Sequence, residues 1–363
     1  MFWNIFKRKP KKFLGIDIGA YSIRVVEIER EEKGYRLSNY GEVNKDSFSE
    51  QPFRIFQKNS LSLSNKDIAE AIKTICEEAE IQTKDANLSI PDFCSFFTSF
   101  SLPKMEKNEV QEAIRFQVRP YVPLPLDEIA LDWSIIEGEP GKTGFKVLVV
   151  AIPKEYVTQY QEIAKLSGLK LKFLESEVFA LTRSLVGEGG DKRVVSIIDI
   201  GARSTTCSIL ENNVLKTSYS FNLAGNNLTE VLARSLDIDY NKAEEIKKKF
   251  GIAENIQQQE SQFGEKNVRE ILLPLVDSII EEIKKIFREF YRKEGKQVEK
   301  IILSGGVSAM LGIKEYFSES FKKEVALADP FFHLLTPPVL SETLKRMRPF
   351  YGVAVGLALK GFE

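Results

Sequence analysis

The sequence predicts an α/β protein built from two copies of one domain, with a smaller α+β subdomain inserted between them. Three observations predict this. Residues 13–28 read FLGIDIGAYSIRVVEI and residues 195–210 read VSIIDIGARSTTCSIL, so the phrase Asp-Ile-Gly-Ala-x-Ser occurs twice, from Asp17 to Ser22 and from Asp199 to Ser204. Apolar alternation of period two flanks both copies, which reads as strand, tight turn, strand. A third strand-like run, 300–303, leads directly into Ser304, Gly305 and Gly306.

Each glycine turn points backbone N–H groups inward, and Gly19 and Gly201 let an anion approach without a Cβ in the way. Ser22 in the first copy, and Ser204, Thr205 and Thr206 in the second, add hydroxyl donors suited to phosphate oxygens. Asp17 and Asp199, ending the first strand of each hairpin, suit a hydrated divalent cation that shields phosphates. One such hairpin is weak evidence, since Asp-x-Gly turns abound in proteins that bind nothing. A matched pair implies two phosphate loops facing each other across a cleft.

The elements follow in order. Residues 1–12 set Phe2, Trp3, Ile5 and Phe6 ahead of Lys7, Arg8, Lys9, Lys11 and Lys12. A secretory signal reverses that order. The leader is either a weak foot on an anionic membrane, at about 1 kcal/mol per cation, or a solvated segment whose aromatics tuck against the domain. Residues 13–101 form the first part of lobe one: the hairpin, a third strand at 35–43, a helix at 65–80 capped by Asn65, and short strands around Pro91. Residues 102–174 read α-β-β-α-β, the inserted subdomain. Its first helix carries Val110, Ala113, Ile114 and Val118 inward, and Pro120, Pro123 and Pro125 then suggest an extended arm. Phe116, Tyr121 and Trp133 suit a protein-binding face there, beside the plainer reading that each serves local packing. A helix at 177–185 returns the chain to lobe one, completing 175–193. The second lobe, 194–363, holds the second hairpin, a third strand at 215–222, and a helix from Asn227 whose amides face the second loop. A charged helix at 242–250, a long amphipathic helix at 271–291 and a final small-residue helix at 351–359 complete it.

Composition excludes several classes. The net charge is −1 and no nucleic-acid motif stands out. Cys76, Cys94 and Cys207 lack paired spacing, which argues against disulfides and zinc and fits a reducing cytoplasm. The one histidine, His333, reads as a packed loop residue and leaves little material for a His-dependent triad. No apolar run reaches the ~20 residues that a membrane helix needs.

A duplicated domain with two Asp-x-Gly hairpins and a later strand–Gly-Gly turn resembles the actin-like, ribonuclease H-like ATPase fold. The resemblance is sharper than that. The DIG…S hairpin, IRFQVRPYVPLPLDEIALDWSII, DIGARSTT, LAGNNLTEVLARSL, AEEIKKKFG and LSGGVSAMLGI, in this order, are similar to the PilM family of type IV pilus assembly proteins over nearly the whole chain. It implies ATP and Mg2+ as cofactors. Asp17, Gly19, Ala20, Tyr21, Ser22 and Arg24 would form one phosphate loop. Asp199, Gly201, Ala202, Arg203, Ser204, Thr205 and Thr206 would form the other, with both aspartates reaching Mg2+ mostly through water. Glu244 and Lys247, in Ala-Glu-Glu-Ile-Lys, would hold ribose and adenine. Gly225 and Asn226 would close the site, and Gly305 and Gly306 would pass under the nucleotide. Glu177 stands where related ATPases carry a glutamate that orients the attacking water; its plainer reading is a helix-start acid.

Three departures bear on activity: Arg24 for the family's lysine, Cys207 for a polar residue, and Val307 for the third glycine of a Gly-Gly-Gly turn. They imply nucleotide binding with a slow ATPase at most. The family further implies a cytoplasmic scaffold, peripheral at the inner membrane, that binds the N-terminal peptide of a PilN-like membrane protein against 102–174. Pilus assembly ATPases would be further partners. Two alternatives remain open: an FtsA-like division filament, for which residues 345–363 supply no amphipathic membrane helix, and a sugar- or acetate-type kinase, for which no acceptor base is evident.

Overall fold

The first hairpin is β1 (Lys12–Ile18) and β2 (Ser22–Glu31), followed by β3 (Gly34–Asn44) and two short strands, β4 (Phe56–Gln57) and β5 (Ser60–Leu61). Next come α1 (Asn65–Glu78), β6 (Asp85–Ile90), β7 (Phe96–Leu102), α2 (Val110–Gln117), β8 (Ile129–Glu137) and β9 (Phe145–Pro153). The chain continues through α3 (Lys154–Leu166), β10 (Lys170–Ser176) and α4 (Glu177–Val186). The second half is β11 (Val194–Ile200), β12 (Thr205–Glu211), β13 (Val214–Phe221), α5 (Gly225–Leu236), α6 (Tyr240–Phe250), α7 (Val268–Glu294), β14 (Lys300–Ser304), α8 (Ile313–Phe321) and β15 (Glu324–Leu327). It ends with β16 (Leu334–Leu335), α9 (Ser341–Met347) and α10 (Gly352–Lys360). This computed structural model describes residues 11–44, 56–57, 60–61, 63–186, 190–254 and 268–363. Nearly all of the basic leader, and most of the polar 254–270 segment, lie outside the described residues.

The duplication is real at the level of topology. The first sheet runs β10-β6-β1-β2-β3-β16 and the second β13-β12-β11-β14-β15. Apart from β16, both are a three-stranded antiparallel meander with two parallel strands added beside its first strand. The register repeats as well: Ile18 pairs with Ile23 across the first turn, and Ile200 with Thr205 across the second.

Strand alternation decides which way each aspartate faces. In β1, Leu14, Ile16 and Ile18 pack into a core with α1 and α3, so Gly15 and Asp17 face the other way. In β11, Ile198 and Ile200 pack into the core under α5, α6 and α7, so Val195, Ile197 and Asp199 face the other way. Between the two sheets lie α4 and α10, which share a core with Val195, Ile197, Leu210 and Leu215 of the second sheet. The layers are therefore helices, sheet, helices, sheet, helices, and both aspartates look toward the middle.

Four expectations change. The inserted sheet is β7-β9-β8, so it begins with β7, before residue 102. Its supposed last two elements leave it: β10 pairs with β6 in the first sheet, and Tyr160, Ile163 and Ala164 of α3 join the first core. The C-terminal helix α10 packs on both lobes and not on the second alone: Ala354, Val355 and Ala358 share a cluster with Val26, Ile28 and Leu37, and Val353 and Leu357 share one with Val195 and Ile197. The proline stretch is no free arm. Arg119–Tyr121 is a 3-10 turn, Tyr121 stacks on Phe100 at 5.9 Å, and Val122, Leu124 and Leu126 pack on the core of the inserted sheet. Locally, Ser64 rather than Asn65 caps α1, and α5 starts at Gly225 rather than Asn227. His333 is exposed.

The reverse face of the inserted sheet rests on the second lobe. Ile136 and Leu148 join the same cluster as Leu215, Lys216 Nζ donates to Ile136 O at 3.3 Å, and Lys146 forms an ion pair with Glu294 at the end of α7.

Two glycines permit the central helix layer. A Cβ on Gly15 would sit 1.9 Å from Ala354 O, and one on Gly356 would sit 1.9 Å from Ala180 O. Both obstacles are backbone, so neither can swing aside. Gly356→Ala should therefore destabilise the protein by about 3 kcal/mol as α4 and α10 are forced apart, read as a lower denaturant midpoint at unchanged slope.

Candidate functional site

The two hairpins face each other across a cavity of about 460 Å3. The structure brings fifteen of the nineteen expected nucleotide residues to its wall: Asp17, Gly19, Ala20, Tyr21, Ser22, Arg24, Asp199, Gly201, Ala202, Gly225, Asn226, Glu244, Lys247, Gly305 and Gly306. Glu177 joins them, as do Glu42, Lys248, Met310 and Phe350, which sequence reading missed.

The two loops have one geometry. Gly19 N donates to Ser22 O at 3.0 Å, and Gly201 N donates to Ser204 O at 3.0 Å. At Gly305 the backbone takes φ +83°, and a Cβ there would lie 2.5 Å from Ile200 O, so only glycine brings this turn under the second loop.

Four expected donors stand off the cavity wall. Adjacent strand residues face opposite ways, so Thr205 and Thr206 could not both reach one anion. Thr205 donates to Leu223 O at 2.6 Å and Thr206 shares a hydrogen bond with Ser220 at 2.8 Å. Ser204 and Arg203 do not line the cavity either; the Arg203 guanidinium lies 4.1 Å from the centre of the Phe93 ring. The first amides of α5 are spent on the loop itself: Gly225 N donates to Gly201 O at 3.0 Å and Asn226 N to Ala202 O at 2.7 Å. They brace the second loop instead of offering an open anion end.

The acids define the site's electrostatics. Burial pushes Asp17 up to about 6 against the pull of Arg24. Burial also raises Asp199, opposed by a hydrogen bond to Ser304 and by Arg24. Burial, and then the Asp92 carboxyl, push Glu177 well above the ordinary glutamate range. Asp92 is a buried acid that the sequence did not reveal. Its backbone N–H donates to Glu177 Oε2 at 3.1 Å and its Oδ1 accepts from Val178 N at 3.2 Å, a reciprocal clamp on the start of α4.

Arg24 is fixed beneath this group. Nη2 donates to Glu42 at 3.0 Å, Nη1 lies 3.7 Å from Asp17, and the guanidinium sits over Phe350 and Tyr351 at 5.6 and 5.7 Å. Across the cavity, Lys247 Nζ donates to Gly225 O at 3.1 Å, Thr229 Oγ1 at 2.7 Å and Glu244 Oε2 at 2.6 Å. Its three protons are committed, so Lys247 holds Glu244 in place. Burial works against ionisation of Glu244, but Lys247 and Thr229 outweigh it and keep the carboxyl below its usual range.

The residues fit a phosphate-bound cation. Asp17 Oδ1, Ser22 Oγ and Arg24 Nε are buried at the cavity wall with no hydrogen-bond partner, and such groups are costly unless a ligand meets them. Among the described residues no three metal-ligating side chains converge. A divalent ion here would therefore lean on water and phosphate oxygens, as Mg2+ does.

The expected partner-binding residues are exposed on three elements of the inserted sheet's subdomain: Phe116 on α2 is 70% exposed, Tyr121 50% and Trp133 on β8 36%. Trp133 pairs with Val149 and Ile135 with Val147, which places both on the sheet face that α2 covers. In the sheet order β8 is an edge strand. Among the described residues no helix is long and apolar enough to cross a membrane.

A family model described as type IV pilus assembly protein PilM matches residues 15–362. Cell division protein FtsA of Enterococcus faecalis is 22% identical over 372 residues, spanning 93% of this chain and 82% of that relative. A solved PilM-PilN type IV pilus biogenesis complex superposes with a TM-score of 0.82 at 24% identity, covering 96% of this chain and 98% of its counterpart. MreB5 of Spiroplasma citri bound to AMPPNP superposes with a TM-score of 0.54 at 14% identity, covering 97% and 96%. These likenesses establish the actin-like ATPase fold.

Asp92 yields a pH-dependent prediction. Burial pushes it up to about 7, against hydrogen bonds from Val178 and Ser176. A raised carboxyl contributes stability that is present at acid pH and lost as pH rises through about 7. Asp92→Asn keeps the acceptor for Val178 N and removes the buried charge. It should stabilise the fold by about 1–3 kcal/mol at pH 8 and leave it unchanged at pH 4, measured by denaturant unfolding at both. Equal or lower stability at pH 8 would contradict the assignment.

Proposed function

The chain belongs to the type IV pilus assembly protein PilM family, and on that premise we propose that it is a cytoplasmic, ATP-binding scaffold that captures a membrane-anchored partner. The observation that carries the nucleotide reading is the trio of buried, unpartnered polar atoms, Asp17 Oδ1, Ser22 Oγ and Arg24 Nε, at the wall of a cavity between two equivalent hairpins. A triphosphate would lie between the loops at 19–22 and 201–202. Ser22 and Arg24 would donate to it, and Asp17 and Asp199 would orient the waters of a magnesium ion. That ion, when bound, neutralises phosphate charge. Glu244, held by Lys247, faces the ribose.

Turnover is slow on this reading. Glu177 is in reach of the cavity, but its raised pKa disfavours the carboxylate that would align an attacking water, and one of its oxygens already accepts from Asp92. Proton affinity and a spent acceptor both favour holding nucleotide over cleaving it.

The partner reading draws on the solved PilM-PilN complex, in which PilN accompanies a protein of this fold. Here a PilN-like N-terminal peptide docks on the subdomain, where β8 offers an open strand edge beside Trp133 and Ile135. That partner holds the chain at the inner membrane. The subdomain joins the first lobe by covalent chain and the second by Ile136, Leu148 and the Lys146–Glu294 pair. A change in cleft angle alters one attachment relative to the other, and so the peptide's affinity changes with nucleotide state.

Two experiments test this. Asp17→Ala and Asp199→Ala should each weaken Mg-ATP binding at least about 100-fold by calorimetry while the far-ultraviolet circular dichroism stays the same. Unchanged affinity in both would refute the site. Trp133→Ala should weaken a PilN-type N-terminal peptide at least about tenfold without changing ATP affinity; equal peptide affinity would place the dock elsewhere.

A further inference from the structure

The two loop phrases are identical except at one position, Tyr21 in the first and Arg203 in the second. Both side chains reach across to the opposite lobe. Lys248 Nζ of α6, in the second lobe, donates to Tyr21 OH at 3.0 Å and lies 4.8 Å from the centre of its ring. The Arg203 guanidinium lies 4.1 Å from the centre of the Phe93 ring, and Phe93 packs on the core of the first lobe. In both contacts the first lobe supplies the ring and the second the cation. The contacts are separate: one is at the α6 side of the cavity, the other at the loop that carries Asp92.

We propose that the variable position of each loop is a clasp residue: Tyr21, hydrogen-bonded to Lys248, and Arg203, in a cation–π contact with Phe93, hold the cleft shut and set how long a nucleotide stays bound. This rests on the nucleotide reading of the cavity, and it moves Tyr21 and Arg203 from phosphate contacts to inter-lobe contacts. The phosphates are met by Gly19, Ser22 and Arg24 on one side and by Gly201 and Ala202 on the other; the residue that differs closes the lobes over them. Opening the cleft must break both contacts, so their effects on release multiply. Lys248 also lies 3.5 Å from Glu244, and both line the cavity.

The test is release of a fluorescent ATP analogue with magnesium, chased by excess ATP in a stopped-flow instrument. Tyr21→Ser and Arg203→Ser should each speed release about two- to fivefold, and the double variant about tenfold. Lys248→Gln should match Tyr21→Ser, and combining those two should add nothing, because both remove one contact; Phe93→Leu should behave likewise with Arg203→Ser. Release rates equal to the parent's, or additive effects within a pair, would overturn the proposal. A second readout needs no nucleotide: the distance between spin labels on the exposed faces of α1 and α7 should broaden and lengthen in the Tyr21→Ser/Arg203→Ser protein, and an unchanged distribution counts against the clasps. A parent protein that fails to bind the analogue at all refutes the nucleotide reading itself, whereas a parent that binds it and variants that release it no faster refute the clasps alone.

Discussion

Two carboxylates, one ending the central strand of each sheet, face a single cavity from opposite sides, and the rest of the molecule is arranged around keeping them there. Burial raises both, since an ion away from water is costly, and the carboxylates of Asp199 and Glu42 add to it at Asp17. Arg24 offsets part of that cost and is itself fixed by Glu42, Phe350 and Tyr351. Asp17 and Asp199 are left with a demand for positive charge that Arg24 alone does not meet. The same parity that points the aspartates inward points Leu14, Ile16 and Ile18 in lobe one, and Ile198 and Ile200 in lobe two, into separate cores. Site and fold therefore share one cause.

The middle layer turns two domains into one device. Helices α4 and α10 lie against the first sheet on one side and the second on the other, and α4 begins with Glu177 at the cavity. Asn87, on β6, donates to Leu357 O at 2.7 Å, fixing α10 to lobe one from within. A helix so placed has no polar face to spare, which explains why the 352–359 segment is apolar all round. The inserted sheet then straddles the joint, attached to one lobe by its chain and to the other by packing.

Much of this was legible in the sequence, for identifiable reasons. Period-two alternation around a glycine marks a hairpin without tertiary help, so both loops, the Asp17 and Asp199 orientation and the strand into Gly305 were readable. Long-range partnership was not. The pattern of α10 says that it is buried but not by which lobe, and β10 carries no mark of pairing with β6. Thr205 and Thr206 misled because a hydroxyl's type suggests phosphate, whereas the pleat sends one to Leu223 and the other to Ser220. Asp92 was invisible: nothing local distinguishes an acid that will be buried against a helix start from one in a solvated turn. Lys247 looked like a ligand residue and acts as a brace, since two of the three partners that use up its protons come from a different helix.

Duplication leaves an ancestral pair of loops equivalent, and equivalence is what a ligand held between them requires. Asp, Gly, Ala and Ser repeat, and so do the hydrogen bond from glycine to serine and the register of the turn. A contact between the lobes has the opposite requirement. Tyr21 meets α6 and Arg203 meets Phe93 in the turn after β6, two surfaces that the duplication does not make equivalent, so each needs its own complement. The one position free to differ between the copies is therefore where asymmetry belongs. Tyr21 and Arg203 occupy it, one presenting a ring and the other a cation, each to a complementary group on the far side.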